Sequence, residues 1–578
     1  MDASRLARYA PLATILLLAT ILQAIVLGRL STISADGIIF IDIARDLAEA
    51  PIETIRAQDQ HPGYPAMLLA CTRAVEWLGY RAEPGSWIAG GVIVSFVCGL
   101  LSVAVVWFFA RDLFDEKIAN VAAIVFIVLP VPRTNAVDAQ SDTPHALVYL
   151  LAAWMATTGI TNGNLWRLAA AGLASGVAFW IRPEGLEVVL VAIPLLAWHA
   201  FRAHWSWPRR VLAVGTLAGT ALVVVAPYTL LAGKITSKQL PGVQARFVQL
   251  YQNPAPAPES AQSAVTRVPE KIEQPATSPP SPALPRSPTP AAVDPSSADA
   301  PMVDAPAAAP TNPVPAPPAA ERRYSAAFIL SVIGGAISAF INSICQGFKF
   351  VFIPLYLLGD VALAWHRPRG IQIGLLSLLG ATHILMLMCL HALSGYIAHR
   401  HVIPLVGLAM PFVALGVVQL GTWAALVLKT RPVYGTLATL AISSAIVMPY
   451  TLRRLNREFV PVIEATRWIQ SRARPGSGIV CNSPYVGFYG TLPVAMLDPK
   501  APTLDEALAR APAGAQYDYV VLHVGAHAYQ PEWVNQLARV YRQVRVLPDP
   551  YSHNELGKVL VFQSQEGRVR HAARGPRP

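Results

Sequence analysis

The stretch PLATILLLATILQAIVLGR, residues 11–29, is an apolar run whose only charge is its final arginine. A helix needs roughly 20 mainly apolar residues to cross a bilayer, because helices satisfy their backbone hydrogen bonds internally where water is absent. Arg5 and Arg8 precede the run, as in a secretory signal peptide. The run is too long for a signal core and no clear small-residue cleavage site follows it, so we interpret it as an uncleaved transmembrane helix.

Ten further segments repeat this character in a chain that is 54% hydrophobic, 14% charged and has a mean hydropathy of +0.43. This composition lies outside the range of soluble domains and predicts a multi-pass α-helical membrane protein with about eleven transmembrane helices. The predicted spans are 11–29, 88–110, 118–131, 145–160, 165–181, 185–201, 211–231, 348–365, 371–391, 401–427 and 433–450. The five cysteines form no CxxC pair, so neither a zinc site nor a disulfide framework is predicted.

We attribute the net charge of +11 mainly to basic residues in the loops between spans and not to a nucleic-acid-binding surface, and we expect no nucleic-acid partner. Basic residues fall in alternate loops, at 111–117, 199–210, 366–369 and 429–431, on the side of the N-terminal arginines. This pattern predicts an inner-membrane protein with a cytoplasmic N-terminus and an extracytoplasmic C-terminal region. If 325–346 were a span, the membrane orientation of all later segments would be reversed. We therefore interpret that segment as an interfacial or re-entrant helix.

The chain divides by composition into five parts. Residues 253–320 hold nineteen of the fifty prolines, a composition that cannot bury a core and predicts a disordered linker. After the last span, VPVIEATRWIQSR has helical spacing, and GSGIVCN, YDYVVLHVG and GKVLVFQ have the character of strands. The predicted parts are an N-terminal transmembrane module (1–252), the linker (253–320), a second transmembrane module (321–455), a small extracytoplasmic α/β domain (456–565) and a basic tail (566–578).

The first loop, residues 31–87, is too long for a mere connector and carries many acids. Two of its stretches are ADGIIFIDIARDLAE (35–49) and QHPGYPAMLLA (60–70). They resemble the first outer loop of the GT-C glycosyltransferases of the protein mannosyltransferase and aminoarabinose transferase type, a group similar to glycosyltransferase family 39. The resemblance extends over about 1–450 at the level of topology. Gly37 and Phe40 depart from it, since many members have Glu and Tyr there.

The resemblance implies that Asp36 is the catalytic aspartate and that His61 and Tyr64 line the substrate cavity. Sugar transfer with inversion needs a base that takes a proton from the acceptor hydroxyl while the anomeric carbon loses a phosphate. A carboxylate at the membrane face can act so. The alternative is that Asp36 is only the N-cap of the following amphipathic helix.

Further candidate residues lie near the ends of other spans. In the second loop, VPRTNAVDAQSDTPHAL (131–147), Asp142 is a candidate supporting acid, as is Asp42 in the first loop, although Asp142 also suits a helix cap. The departing phosphate needs cations to stabilise its charge. A charged side chain within or close to the membrane is energetically costly, so it usually has a function. The candidates are Arg182, Lys238 and Arg400 for the phosphate, with Lys234 beside them, and Glu184 and His399 for the cavity.

Arg182 and Glu184 could instead pair only with each other at a helix junction. Two acids from separate loops could hold a divalent cation, but that is the minority alternative, and we expect no metal or other cofactor. The predicted function is transfer of a monosaccharide from a polyprenyl-phosphate-linked donor to a lipid, glycan or protein acceptor, within membrane lipids. The rivals are a transporter or flippase for a lipid-linked glycan, and a non-enzymatic envelope assembly protein. Against a transporter, we find no internal repeat, and the polar groups cluster at one face.

Overall fold

The computed structural model describes residues 3–234, 326–366, 370–394, 397–497, 517–524, 531–548 and 558–564. The predicted linker at 253–320, the basic tail and Lys238 lie outside these residues.

The described chain is dominated by helices. They are α1 (Ala3–Leu27), α2 (Ala35–Glu49), α3 (Pro51–Ala57), α4 (Gly63–Trp77), α5 (Gly85–Leu113), α6 (Glu116–Val128), α7 (Pro130–Asn135), α8 (Asp142–Asn162), α9 (Leu165–Ile181), α10 (Glu187–Arg202), α11 (Trp207–Ala232), α12 (Ala326–Phe348), α13 (Phe352–His366), α14 (Gly370–Ser394), α15 (Ile403–Val427), α16 (Pro432–Thr451), α17 (Val460–Gln470), α18 (Pro484–Tyr489) and α19 (Pro531–Val540). Short 3-10 turns occur at Pro183–Leu186, His399–Val402 and Arg457–Phe459.

The prediction of a multi-pass helical membrane protein is confirmed. Among the described residues, eight helices are long and apolar enough to cross a membrane, and two more apolar helices are shorter. The eight are Tyr9–Leu27, Gly85–Leu113, Pro183–Arg202, Trp207–Ala232, Leu330–Phe348, Gly370–Ala392, His399–Val427 and Pro432–Thr451, and the shorter two are Leu165–Ile181 and Phe352–Ala364.

Two predicted spans differ from the structure at their ends. The predicted span 118–131 is a helix that ends at Val128, because Pro130 begins the separate short helix α7. With 13 residues, α6 is shorter than a bilayer requires, and it is almost wholly enclosed by other helices. The predicted span 348–365 begins later, at Phe352, since Lys349 and Phe350 adopt left-handed backbone conformations that separate α12 from α13.

Helix α15 is the central helix of the bundle, since 89% of its most apolar stretch is buried inside the protein. Glycines let neighbouring backbones approach it closely. A Cβ atom at Gly416 would lie 1.8 Å from the carbonyl oxygen of Leu355, and one at Gly359 would lie 1.8 Å from that of Phe412. Such contacts between small residues are the usual basis of helix packing in lipid, where no hydrophobic force draws helices together.

Helix α12, which contains the predicted interfacial segment, also meets the length and hydropathy of a span. A Cβ atom at Gly347 would lie 2.9 Å from Val402 Cγ2, and one at Gly335 would lie 3.9 Å from His391 Nε2. Val402 comes just before α15 and His391 is in the last turn of α14. Both contacts are therefore at the same end of the bundle, which we call the α14–α15 face. The two glycines are about 18 Å apart along the helix. These contacts favour a helix that runs along this face.

The helix contacts of α12 yield a topological prediction. Reporter fusions at residues 290 and 500 should report the same side of the membrane, because α12 adds no crossing between them. Localisation of alkaline phosphatase and green fluorescent protein fusions measures this. Opposite sides for the two positions would show that α12 is a span and that eleven is the wrong count.

The C-terminal domain contains a five-stranded mixed sheet in the order β2-β1-β3-β5-β4. Its strands are β1 (Gly478–Cys481), β2 (Val494–Met496), β3 (Tyr517–Val524), β4 (Tyr541–Pro548) and β5 (Lys558–Ser564). Strands β1, β2 and β3 are parallel, while β5 is antiparallel to both β3 and β4. The three predicted strands are β1, β3 and β5, and the predicted helix is α17, whereas β2 and β4 were not predicted.

The two faces of this sheet pack against different partners. One face, with Val520 and Phe562, forms a core with Trp533 and Leu537 of α19. The other face, with Val521 and Val561, belongs to a hydrophobic cluster that the domain shares with the first loop. That shared cluster contains Ile33, Ile38, Phe40, Ile41, Tyr64, Trp87, Val462, Ile463, Tyr485 and Val486. The domain and the first loop are therefore joined by one continuous core.

Candidate active site

Helix α2 presents Asp36 in its first turn. Ser34 is the N-cap, since its hydroxyl accepts a hydrogen bond from the amide of Gly37 at 3.3 Å. The alternative that Asp36 caps this helix is therefore wrong. The Asp36 side chain remains 40% exposed and pairs with Arg400. A carboxylate near a helix N-terminus interacts favourably with the helix dipole.

Asp142 lies at the centre of a chain of charges. Its carboxylate is only 4% exposed and pairs with Arg182 through one oxygen. The other oxygen lies 3.7 Å from Nε of Arg400, which in turn reaches Asp36. Arg182 therefore pairs with Asp142, and the alternative in which Arg182 and Glu184 pair only with each other is wrong. The four residues come from α2, the start of α8, the junction after α9 and the turn before α15.

Three of these charged residues, Asp142, Arg182 and Arg400, line a small cleft that is partly open to solvent. Its lining residues are Asp142, His145, Arg182, Glu184, His383, Met386, Leu387, Arg400, His401 and Pro404. The structure thus brings together four of the predicted site residues, Asp142, Arg182, Glu184 and Arg400, with Asp36 at Arg400. The cleft is therefore polar, and its walls carry both guanidinium and carboxylate groups.

Next to these charges lies a buried cluster of three side chains, His383, Glu187 and Tyr149, that was not predicted from the sequence. His383 Nδ1 is 2.7 Å from Glu187 Oε2, and His383 Nε2 is 3.1 Å from the carbonyl oxygen of His401. Tyr149 donates its hydroxyl to the same Glu187 oxygen at 3.0 Å. Because a carbonyl oxygen only accepts, Nε2 of His383 is a donor, and one further proton lies between Nδ1 and Glu187. The resulting pair fixes the turn that carries Arg400.

Asp138 organises the second loop beside Asp36. Its carboxylate is 5% exposed and accepts hydrogen bonds from the amides of Ser34 at 3.0 Å and Ala139 at 2.8 Å. The side-chain amides of Gln140 and Asn456 also donate to it, at 3.0 Å and 3.3 Å. Burial raises the pKa of Asp138, while these hydrogen bonds oppose the shift. Asp138 therefore ties the two loops and the start of the C-terminal domain together.

The other predicted site residues lie elsewhere. Asp42 is 58% exposed on α2 and pairs with Arg45 at 3.3 Å. His61 is buried, with Nδ1 2.7 Å from the carbonyl oxygen of Phe179, and Tyr64 is buried in the shared core. His399 is exposed. None of these four is among the residues that line the cleft, and His61 and Tyr64 pack between the first loop and the bundle.

The described residues contain no group of three or more His, Cys, Asp or Glu side chains arranged to hold a metal ion. Arg182 and Arg400 supply positive charge at the cleft. Arginine suits a phosphate because its planar fork donates two parallel hydrogen bonds.

Removal of the Asp142 carboxylate should cost stability as well as function. Asp142→Ala leaves Arg182, whose side chain is only 17% exposed, without this carboxylate, and breaking a buried pair costs about 3–5 kcal/mol of unfolding free energy. Thermal unfolding in detergent measures the loss, with exposed Asp42→Ala as the matched control. Adding Arg182→Met should recover much of the stability. Equal losses for Asp142→Ala and Asp42→Ala would contradict the buried pairing.

Comparison with known proteins identifies the architecture. Residues 84–230 match the dolichyl-phosphate-mannose-protein mannosyltransferase family. No curated protein matches the chain by sequence.

The fold is similar to two crystal structures of ArnT from Cupriavidus metallidurans. With the apo form the TM-score is 0.54 at 12% identity, covering 99% of this chain and 100% of that one. With the form bound to undecaprenyl phosphate it is 0.54 at 12% identity, covering 98% and 100%. Residues 84–230 of this chain are thus similar to that mannosyltransferase family, and the chain has the fold of ArnT over almost its whole length.

Proposed function

We propose that the protein transfers a monosaccharide from a polyprenyl-phosphate-linked donor to an acceptor at the extracytoplasmic face of the inner membrane. The supporting observation is the chain of charges from Asp36 through Arg400 and Asp142 to Arg182. It sets a partly exposed carboxylate beside guanidinium groups that suit a lipid phosphate. A protein of the same fold, ArnT, binds undecaprenyl phosphate, which supports this class of donor.

In the proposed reaction, Asp36 takes the proton of an acceptor hydroxyl as its oxygen bonds to the anomeric carbon of the sugar. The bond from that carbon to the phosphate oxygen breaks, and its electron pair stays on the phosphate. The products are the glycosylated acceptor, polyprenyl phosphate and a proton on Asp36. Arg182 and Arg400 stabilise the charge that grows on the phosphate, which is where fixed cations accelerate a reaction most.

The pairing of Arg400 with Asp36 bears on the order of events. Arg400 also approaches Asp142, so a donor phosphate competes with two carboxylates for this guanidinium. When the phosphate engages Arg400, an oxygen of Asp36 is released to accept the acceptor proton. We therefore propose that the donor binds before the acceptor reacts.

Asp36→Asn should lower the transfer rate about 10²- to 10⁴-fold, since asparagine keeps the shape of the side chain but cannot take a proton. Transfer by purified protein, with a panel of undecaprenyl-phosphate hexoses and pentoses and a membrane extract as acceptor, measures this. Asp42→Asn is the matched control on the same helix, because Asp42 lies outside the cleft, and it should retain nearly full activity.

The absence of sugar transfer by the wild type over the whole panel would refute the proposed function. If wild-type transfer occurs and Asp36→Asn retains more than about a tenth of it, the loss lies below the range for a removed base. Asp36 would then not be the base, and Asp142 would be tested next.

Arg400→Ala should weaken binding of bare undecaprenyl phosphate as well as slow transfer, because the phosphate contact forms in the ground state too. Native mass spectrometry or microscale thermophoresis measures the affinity. Asp36→Asn provides the contrast, since it keeps Arg400 and removes a carboxylate that competes for it, so it should bind the lipid phosphate at least as tightly as the wild type does. Unchanged lipid affinity in Arg400→Ala would place the phosphate elsewhere. Lys238, which lies outside the described residues, stays a predicted phosphate ligand.

We propose that the reaction uses no divalent metal, since Arg182 and Arg400 provide the positive charge at the cleft. Treatment with excess EDTA followed by dialysis should leave the transfer rate within about twofold of the untreated rate. Loss of activity that added Mg²⁺ or Mn²⁺ restores would favour the alternative in which acids of the two loops hold a cation.

A further inference from the structure

The segment between α1 and α2, residues 28–34, leads directly to Asp36 and is held by the C-terminal region of the chain. Leu455 donates its amide to the carbonyl oxygen of Arg29, and Ser31 donates its amide to the carbonyl oxygen of Leu455, both at 3.1 Å. The segment after α16 therefore pairs with the entry to the first loop as in a short parallel sheet. We call residues 28–34 the entry segment.

Two tyrosines of α18 contact the entry segment from the C-terminal domain. Tyr485 donates its hydroxyl to the carbonyl oxygen of Ile33 at 2.9 Å, and the hydroxyls of Tyr489 and Thr32 are 2.6 Å apart. Tyr485 is fully buried, and its ring stacks on Phe459 at 4.4 Å. A ring held in this way has little freedom, so its hydroxyl is a fixed donor.

Asn456 contacts the entry segment from another direction. Its side-chain amide donates to the carbonyl oxygen of Thr32 at 2.8 Å and to Asp138 at 3.3 Å. Asn456 has a left-handed backbone with φ of 55°, a conformation that asparagine tolerates better than most residues. Asp138 completes the arrangement by accepting from the amide of Ser34.

These contacts end at the N-cap of α2, two residues before Asp36. Ser34 is bound through its amide by Asp138 and through its hydroxyl by the side chain of Gln140 at 2.8 Å. The C-terminal domain cannot turn away from the bundle freely, because it shares a hydrophobic core with the first loop. The place of Asp36 is thus fixed by groups that belong to three distant parts of the sequence.

We propose that the C-terminal domain is part of the catalytic apparatus, with Tyr485, Tyr489 and Asn456 as positioning residues for Asp36. This rests on the proposed function in that it takes Asp36 as the base. The domain holds the entry segment, the entry segment fixes the N-cap, and the N-cap sets where the carboxylate lies. A displacement of about 1 Å in such a group can slow a reaction about 100-fold.

The test uses full-length variants that remove the contacts without creating strain. The double variant Tyr485→Phe/Tyr489→Phe removes both hydroxyls and keeps the rings, and Asn456→Gly removes the amide while glycine tolerates the left-handed backbone. Each should lower kcat about 10- to 100-fold, with the KM for the lipid-linked donor within about twofold of the wild type. Tyr541→Phe, on the strand β4 in the same domain, is the matched control and should keep wild-type kinetics.

A conservative pair tests the contact from the other side. Thr32→Val removes the hydroxyl that meets Tyr489, whereas Thr32→Ser keeps it. Thr32→Val should lower kcat and Thr32→Ser should restore it, a contrast that general loss of packing does not produce. Hydrogen exchange of the peptide covering residues 31–40 gives a readout that needs no substrate. It should rise in the double tyrosine variant and in Asn456→Gly, but not in Tyr541→Phe.

The outcomes separate this proposal from the proposed function. Should the wild type transfer no sugar, the exchange measurement still tests whether the domain holds the entry segment, and unchanged exchange in the variants overturns the proposal. Should transfer occur, unchanged kcat in both variants overturns it, as does an equal loss in Tyr541→Phe. A rise in donor KM with unchanged kcat also overturns it, since the contacts would then serve donor binding.

Discussion

The buried carboxylate of Asp142, held beside the guanidinium groups of Arg182 and Arg400, is the constraint on which the site depends. An ionised group at this depth is stable only when it is paired, since desolvation of a single charge costs several kcal/mol. Asp142 therefore draws the start of α8, the junction after α9 and the turn before α15 to one place. Through Arg400 the same pairing reaches Asp36 on α2.

The helical fold and the main charges of the site could be predicted from sequence because lipid makes both conspicuous. Long apolar runs indicate spans, and charges at their ends are costly enough to be informative, as Arg182 and Arg400 show. Their pairing with Asp142 could not be predicted, because the three residues are far apart in the chain. His61 and Tyr64 were predicted in the cavity but lie outside the cleft. The sequence could not separate the two cases, because a buried polar residue and a cavity residue look the same in a sequence.

The residues that were missed left weaker signals. Glu187 is the first residue of α10 and His383 lies in the middle of α14. An ionisable side chain in an apolar run indicates a buried partner, but the sequence does not identify that partner. In the C-terminal domain, β2 has only three residues, and β4 is an edge strand whose exposed positions carry Arg542 and Arg545. Neither strand has the alternating apolar pattern on which strand prediction relies.

The C-terminal domain was predicted as a separate unit with its own core, and only one face of its sheet fits that description. The opposite face belongs to the cluster that buries apolar side chains of α2 such as Ile38 and Ile41, so residues more than 400 positions later contribute to that cover. Without that cover α2 would expose an apolar face to water beside the membrane. The helix that carries Asp36 and the domain that covers it thus depend on each other for burial, which places the domain within the structural unit that forms the site.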